Sequence, residues 1–312
     1  MTHPLLRLHP DVAAALRDHQ PVVALESTLI AHGMPHPENV AVAQQVEAAV
    51  RAHGAVPATI AVLEGRLTVG LTAAELAHIG ELGPRAHKVS RRDLPLVLAC
   101  RGTGATTVAG TMAIAALAGI RVFATGGIGG VHRGAATTLD ISADLPELAQ
   151  TPLAVVCAGA KSILDLPLTL EWLETHGVPV LGYRTREFPA FFCRESGLPV
   201  DLRCDSPLEV ARVLTARWAL GHGGVVVAQP IAAEFALARE ATEALIAAAL
   251  AAAAQAEIGG KALTPFLLQQ LRVETGGQSL AANVALVVAN AGLAAQVAVA
   301  MAEIASAPGS PP

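Results

Sequence analysis

Short apolar runs alternate along the chain with longer stretches whose apolar positions recur every three to four residues. The short runs, at 21–25, 59–64, 66–69, 122–124, 153–158, 178–183 and 224–229, predict strands. The periodic stretches, at 8–19, 37–54, 72–82, 162–176, 207–220, 234–256, 264–275 and 280–304, predict helices. Local punctuation agrees with several of these bounds. Pro37 suits a first helical turn and Gly54 a helix end. Thr72 followed by Glu75 has capping-box spacing, and Glu64-Gly65 joins two strand runs as a tight hairpin. Strands and helices alternate through most of the chain. The expectation is therefore an α/β protein with a mainly parallel central sheet sandwiched between helices. Sites in such sheets lie at the carboxyl ends of the strands. No internal repeat or long linker divides the sequence, so a single domain over residues 1–305 is expected, with a disordered Pro/Ser/Gly tail at 306–312.

Composition narrows the class. Of 312 residues, 53% are hydrophobic and 15% charged, and the net charge is −5. Such a chain has no general basic face for nucleic acid or an anionic membrane, although a nucleotide-sized ligand needs only a few cations. The apolar run at 284–301 contains Asn290 and Gln296 and predicts a buried helix in preference to a membrane span. Four cysteines without a C-x-x-C pair (Cys100, Cys157, Cys193 and Cys204), and an N-terminus without an apolar signal segment, suit a reduced, cytoplasmic protein.

Against this apolar background the stretch 125–165 is dense in chemistry: a glycine loop, His132-Arg133, Asp140-x-Ser142-x-Asp144 and Lys161. Lys161 follows a strand run and precedes a helix-like one. An apolar surround and a helix N-terminus there would favour a neutral amine able to attack a carbonyl. Lysine is scarce: Lys88, Lys161 and Lys261 are the only three among 21 basic residues, so a lysine is not this chain's usual surface cation. Glu26, directly after a strand run, is placed for general acid work or for capping the next element. Lys88 is a point charge for a phosphate or a plain solvated lysine. Asp140, Ser142 and Asp144 would share one face if extended, which suits a hard divalent ion or sugar hydroxyls, or else caps a helix. The loops at 102–111 and 126–130 lack the P-loop ending and the full dinucleotide pattern. His32 and His36 have metal spacing, but Pro35 between them disfavours the helix a zinc site of that type needs.

The segments ALESTLIAHGMPHPEN, HKVSRRD, TTVAGTM, FATGGIGGVHRG, DISADL, CAGAKSILDLPLTLEWLETHGVPV, FPAFF and TGGQSLAANVALVVANA occur in order from about residue 21 to about residue 304. Together they resemble the pseudouridine-5′-phosphate glycosidases. The resemblance implies reversible cleavage of the C–C glycosidic bond of pseudouridine 5′-phosphate, giving uracil and ribose 5-phosphate through a lysine Schiff base. It implies that Glu26 is the proton donor and Lys161 the covalent nucleophile. It also implies that Lys88, Val108, Ser142, Ala143, Asp144 and Asn283 contact substrate, and that Asp140 holds Mn2+. A layered α/β/α fold and a homotrimer are implied too. A Schiff-base lyase or aldolase acting on another sugar phosphate would use the same Lys161 without a uracil pocket. A non-catalytic nucleotide sensor or pigment-cluster accessory protein would not need the intact Glu26, Lys161 and Asp140.

Overall fold

The computed structural model describes residues 3–307, the side chain of Lys261 excepted. Eleven strands form one sheet. Its path begins with β1 (Leu6–Leu8), β4 (Arg66–Val69), β3 (Val56–Leu63) and β2 (Val22–Leu25). It continues through β7 (Val122–Ala124), β9 (Ala154–Cys157), β13 (Val225–Ala228), β11 (Val180–Tyr183) and β12 (Leu202–Cys204). The short strands β5 (His87–Val89) and β6 (Gly104–Thr106) attach through β3. A separate antiparallel pair joins β8 (Val131–His132) to β10 (Leu164–Asp165). From β3 through β12 the neighbours on the path are parallel, while β3 pairs antiparallel with β4 and β6. The expected mainly parallel sheet between helices in one domain is the observed one.

The central strands β2, β7, β9, β11 and β13 are buried along their whole length. A parallel strand covered on both faces has no solvent side, so its sequence reads as an unbroken apolar run. Helices Glu38–Ala52 and Pro207–Ala219 pack against the long helix Gln278–Ser306, which itself lies on β2, β7 and β9. Helix Val108–Ala118 packs on β2, β3 and β4 and against helix Asp144–Gln150. The helix 278–306 is long and apolar enough to cross a membrane, but 61% of its most apolar window is buried inside the fold. It is the expected core helix. Its last residue is Ser306, so the expected tail begins one residue too early, and residues 308–312 lie outside the described residues.

Several boundaries differ for physical reasons. The hairpin turn at Glu64-Gly65 has positive φ at both positions, 49° and 73°, the mirror-image turn that matches strand twist. The helix expected from residue 162 begins at Leu166, where the Asp165 side chain accepts from Leu168 N at 3.0 Å and Pro167 occupies the first turn. Asp-x-Pro is a start signal that outranks the apolar spacing upstream of it. The threonine-rich loop at 102–111 contains β6, which exists only because β3 and β5 flank it.

One polar residue ties the core helix to the loop after β7. Asn290, 1% exposed, donates to Thr125 O at 2.9 Å and to Gly126 O at 3.4 Å. Asn290→Leu keeps the branched shape and removes the amide donor. A loss of about 1–3 kcal/mol is expected, because the Thr125 carbonyl loses its side-chain donor, while Gly126 O keeps Ala158 N. Urea unfolding checks this as a lowered midpoint with an unchanged slope.

Candidate active site

The register of three strands builds the site. Leu25 pairs with Ala124, and Ala124 with Val156, so the carboxyl ends of β2, β7 and β9 are level. The next residues, Glu26 and Thr125, are therefore neighbours although 99 positions apart. Thr125 Oγ1 donates to Glu26 Oε1, and Thr28 Oγ1 donates to Oε2 of the same carboxylate. Beyond the strands the two loops stay paired. Ala158 N donates to Gly126 O at 2.9 Å, Ile128 N to Gly159 O at 3.1 Å and Lys161 N to Ile128 O at 3.1 Å. That ladder carries the Lys161 backbone along the glycine loop and holds it beside the site.

Glu26, Lys88 and Lys161 line a narrow central pocket of about 70 Å³, and Asn283 closes part of it from the long helix. The same three ionisable residues line an adjoining cleft of about 450 Å³ with Val108, Asp140, Ser142, Ala143 and Asp144. Every candidate residue read from the sequence thus falls on one of two connected surfaces. Lys88 comes from β5, Val108 is the first residue of its helix, and Asn283 lies within helix 278–306.

Two expectations require correction. Lys161 does not stand at a helix N-terminus, because the following helix starts five residues later. Asp140, Ser142 and Asp144 do not present one extended face. The chain turns into a helix at Asp144, whose buried carboxylate accepts from Ala109 N at 2.9 Å and Gly129 N at 2.8 Å. Asp144 is thus a bracket between the start of helix 108–118 and the glycine loop. Glycine is required at 129: a Cβ there would lie 2.2 Å from Ser142 Oγ and 2.7 Å from Asp144 Oδ2. Of the three, Asp140 keeps an open carboxylate on the cleft wall, its side chain 37% exposed and Oδ2 4.0 Å from His132 Nδ1, and Glu26 and Asp93 line the same cleft. Among the described residues no three His, Cys, Asp or Glu side chains gather as a metal cage. The half-exposed Asp140 carboxylate on this open cleft fits a hydrated hard divalent ion held at a single protein ligand.

Other groups at the site carried no assigned role in the sequence. Burial, aided by the charges of Lys161 and Lys88 and opposed by Asp140, holds His132 below the usual histidine range. Burial and then Lys88 do the same to His32. His132 lies inside the dense polar stretch, so a signal existed. His32 was visible only through its spacing to His36, and the threonines that grip Glu26 become neighbours only through strand register. Arg133 donates to Ser162 O at 3.1 Å and pairs with Glu243 at 2.9 Å, tying the Lys161 loop to helix Arg239–Gln255. Cys157, at the end of β9, is fully buried, and burial pushes its thiol up to about 12. It is a packing residue.

Gly129→Ala is expected to cost about 1–3 kcal/mol through overpacking, as the new methyl displaces Ser142 and Asp144. Urea unfolding measures that loss.

Residues 11–300 match the family of indigoidine synthase A like proteins. A pseudouridine-5′-phosphate glycosidase of Geobacillus kaustophilus is 58% identical over 92% of this chain and 96% of that protein. One from Escherichia coli is 56% identical over 94% and 95%. The crystal structure of the prealnumycin C-glycosynthase AlnA in complex with ribulose 5-phosphate superposes with a TM-score of 0.90 at 43% identity, covering 97% of this chain and 99% of that one. An indigoidine synthase A-like protein from Thermotoga maritima gives 0.86 at 34% identity, covering 96% and 97%. The chain belongs to the family of indigoidine synthase A like proteins, alongside the pseudouridine-5′-phosphate glycosidases it resembles in sequence.

Proposed function

We propose that this protein is a pseudouridine-5′-phosphate glycosidase, which reversibly cleaves the C–C bond between C1′ of the ribose and the uracil ring. The observation that carries the reading is that Glu26 and Lys161 line one pocket, with Lys88 beside them. The relatives' names and the ribulose 5-phosphate complex of the C-glycosynthase support the substrate class.

A carbon leaving group needs an electron source at C1′ that an ordinary glycosidic bond does not. The Lys161 amine bonds to C1′ as the C1′–O4′ bond breaks, and Glu26 gives its proton to the departing ring oxygen. The new ammonium returns a proton to Glu26. The nitrogen lone pair then forms C1′=N as the C1′–C5 bond breaks. The bonding electrons pass into the uracil ring, which takes the proton from Glu26 at C5. Water adds to the iminium and releases ribose 5-phosphate and the free lysine. Thr28 and Thr125 hold Glu26 in place throughout. Lys88 offsets part of the phosphate charge, and the cleft residues Val108, Ser142, Ala143 and Asp144 orient the sugar phosphate. A divalent ion such as Mn2+ at Asp140, its other positions filled by water, would add positive charge for substrate oxygens. A cytoplasmic homotrimer belongs to the same reading: the family resemblance supports the trimer and the four unpaired cysteines a reducing compartment.

Uracil release from pseudouridine 5′-phosphate, set beside uridine 5′-phosphate, tests the reading. Turnover of the first and not the second is expected; a sugar-phosphate lyase would release no uracil from either. Glu26→Gln is expected to lower turnover by about 10²–10⁴-fold. Chelation is expected to slow the wild type and added manganese to restore it, while Asp140→Asn no longer responds to manganese.

A further inference from the structure

A lysine that bonds to carbon has to be aimed, and the backbone around Lys161 is held in an unusual way. From Leu153 to Leu164 every residue is buried except Lys161. The root of its side chain can therefore shift only if the backbone of this packed segment shifts. Lys161 opens a turn: its own N–H donates to Ile128 O at 3.1 Å, and Leu164 N donates to Lys161 O at 3.0 Å. Leu164 and Asp165 then pair with Val131 and His132. The entry and the exit of the turn are thus fixed by the glycine loop and by β8.

The carbonyls on the turn itself are held by one side chain. Arg133 directly follows β8, and the chain swings away after it at Gly134, where φ is 83°. Arg133 Nη2 donates to Ser162 O at 3.1 Å, and Nε donates to Leu164 O at 3.4 Å. Nη2 also lies 2.9 Å from Glu243 Oε2, on helix Arg239–Gln255. A guanidinium is a planar fork of five donors, so one arginine can hold two carbonyls and a carboxylate together. The ammonium of a lysine cannot reproduce that fork. Arg133 lines neither the central pocket nor the cleft, so it acts on the site only through the turn.

We infer that Arg133 is a positioning residue for Lys161. It sets the tilt of the turn at 161–164, and with it the line along which the amine approaches C1′. Glu243 orients the guanidinium from behind. A misplacement of about 1 Å between reacting groups can cost about 10²-fold in rate, so the effect falls on the chemical step and not on substrate binding. This inference rests on the glycosidase reading and deepens it, because that reading names the nucleophile but not what aims it.

Single-turnover release of uracil from pseudouridine 5′-phosphate, followed over a range of enzyme concentrations, separates affinity from the rate of bond cleavage. In Arg133→Ala the rate is expected to fall about 10²-fold, with the affinity within about threefold of the wild type. Arg133→Lys keeps the charge without the fork and is expected to recover part of the rate; it also serves if the alanine variant does not fold. Glu243→Ala leaves both carbonyl contacts in place and is expected to lose less than Arg133→Ala. Guanidinium ion at a low, non-denaturing concentration is expected to speed Arg133→Ala and not the wild type, because it fits the same acceptors. An undiminished rate in both Arg133 variants overturns the positioning role and leaves the glycosidase reading standing. A fall in rate matched by an equal fall in affinity also overturns it, as does a Glu243→Ala loss as large as that of Arg133→Ala or a slow Arg133→Ala indifferent to guanidinium. A wild type that releases no uracil overturns the glycosidase reading itself.

Discussion

The parallel pairing of β2, β7 and β9 is the constraint on which the site depends. Because Leu25, Ala124 and Val156 are in register, the three chains leave the sheet at one level. A one-residue slip of β7 would turn every one of its side chains to the other face and withdraw Thr125 from Glu26. The strands gain that fixed register from burial on both faces, and the core helix 278–306 adds to it by binding the carbonyls of Thr125 and Gly126 through Asn290. Glu26 and the Lys161 loop are thus positioned by the most buried part of the molecule.

Around that base, close backbone approaches shape the pocket. Asp144 spends a buried carboxylate on two backbone N–H groups and so draws the helix start at 108 against the glycine loop. Only glycine at 129 leaves room for it. The result is a pocket whose charged groups collect on one side and whose other end, at Leu29, Phe191 and Leu268, is apolar. A nucleotide has the same division, with an anionic sugar phosphate joined to a flat ring that carries directional hydrogen-bonding groups. The correspondence makes a nucleotide-like ligand a better fit than a sugar phosphate alone.

Much of this was legible in the sequence. The alternation of apolar runs and periodic stretches specified the layered parallel sheet, and the polar stretch at 125–165 marked the surface on which the candidate residues meet. What the sequence did not give was proximity. Thr125 joins Glu26 through strand order, which residue types do not encode. The same spacing that suggested two carboxylates for an ion conceals that Asp144 turns inward at a helix start. Lys161 stands out in the sequence by its scarcity, yet the helix expected behind it begins only at Leu166 because Asp165 and Pro167 set the cap. His32 carried only a metal spacing, and its place on the pocket wall with Asn283 exists only in three dimensions.

The proposed chemistry turns on a covalent bond between Lys161 and C1′ of the sugar. Borohydride reduction during incubation with ribose 5-phosphate, followed by peptide mapping by mass spectrometry, tests it directly. A reduced sugar-phosphate adduct is expected on the peptide containing Lys161, and none after Lys161→Ala. An adduct confined to Lys88, or turnover undiminished in Lys161→Ala, would contradict it.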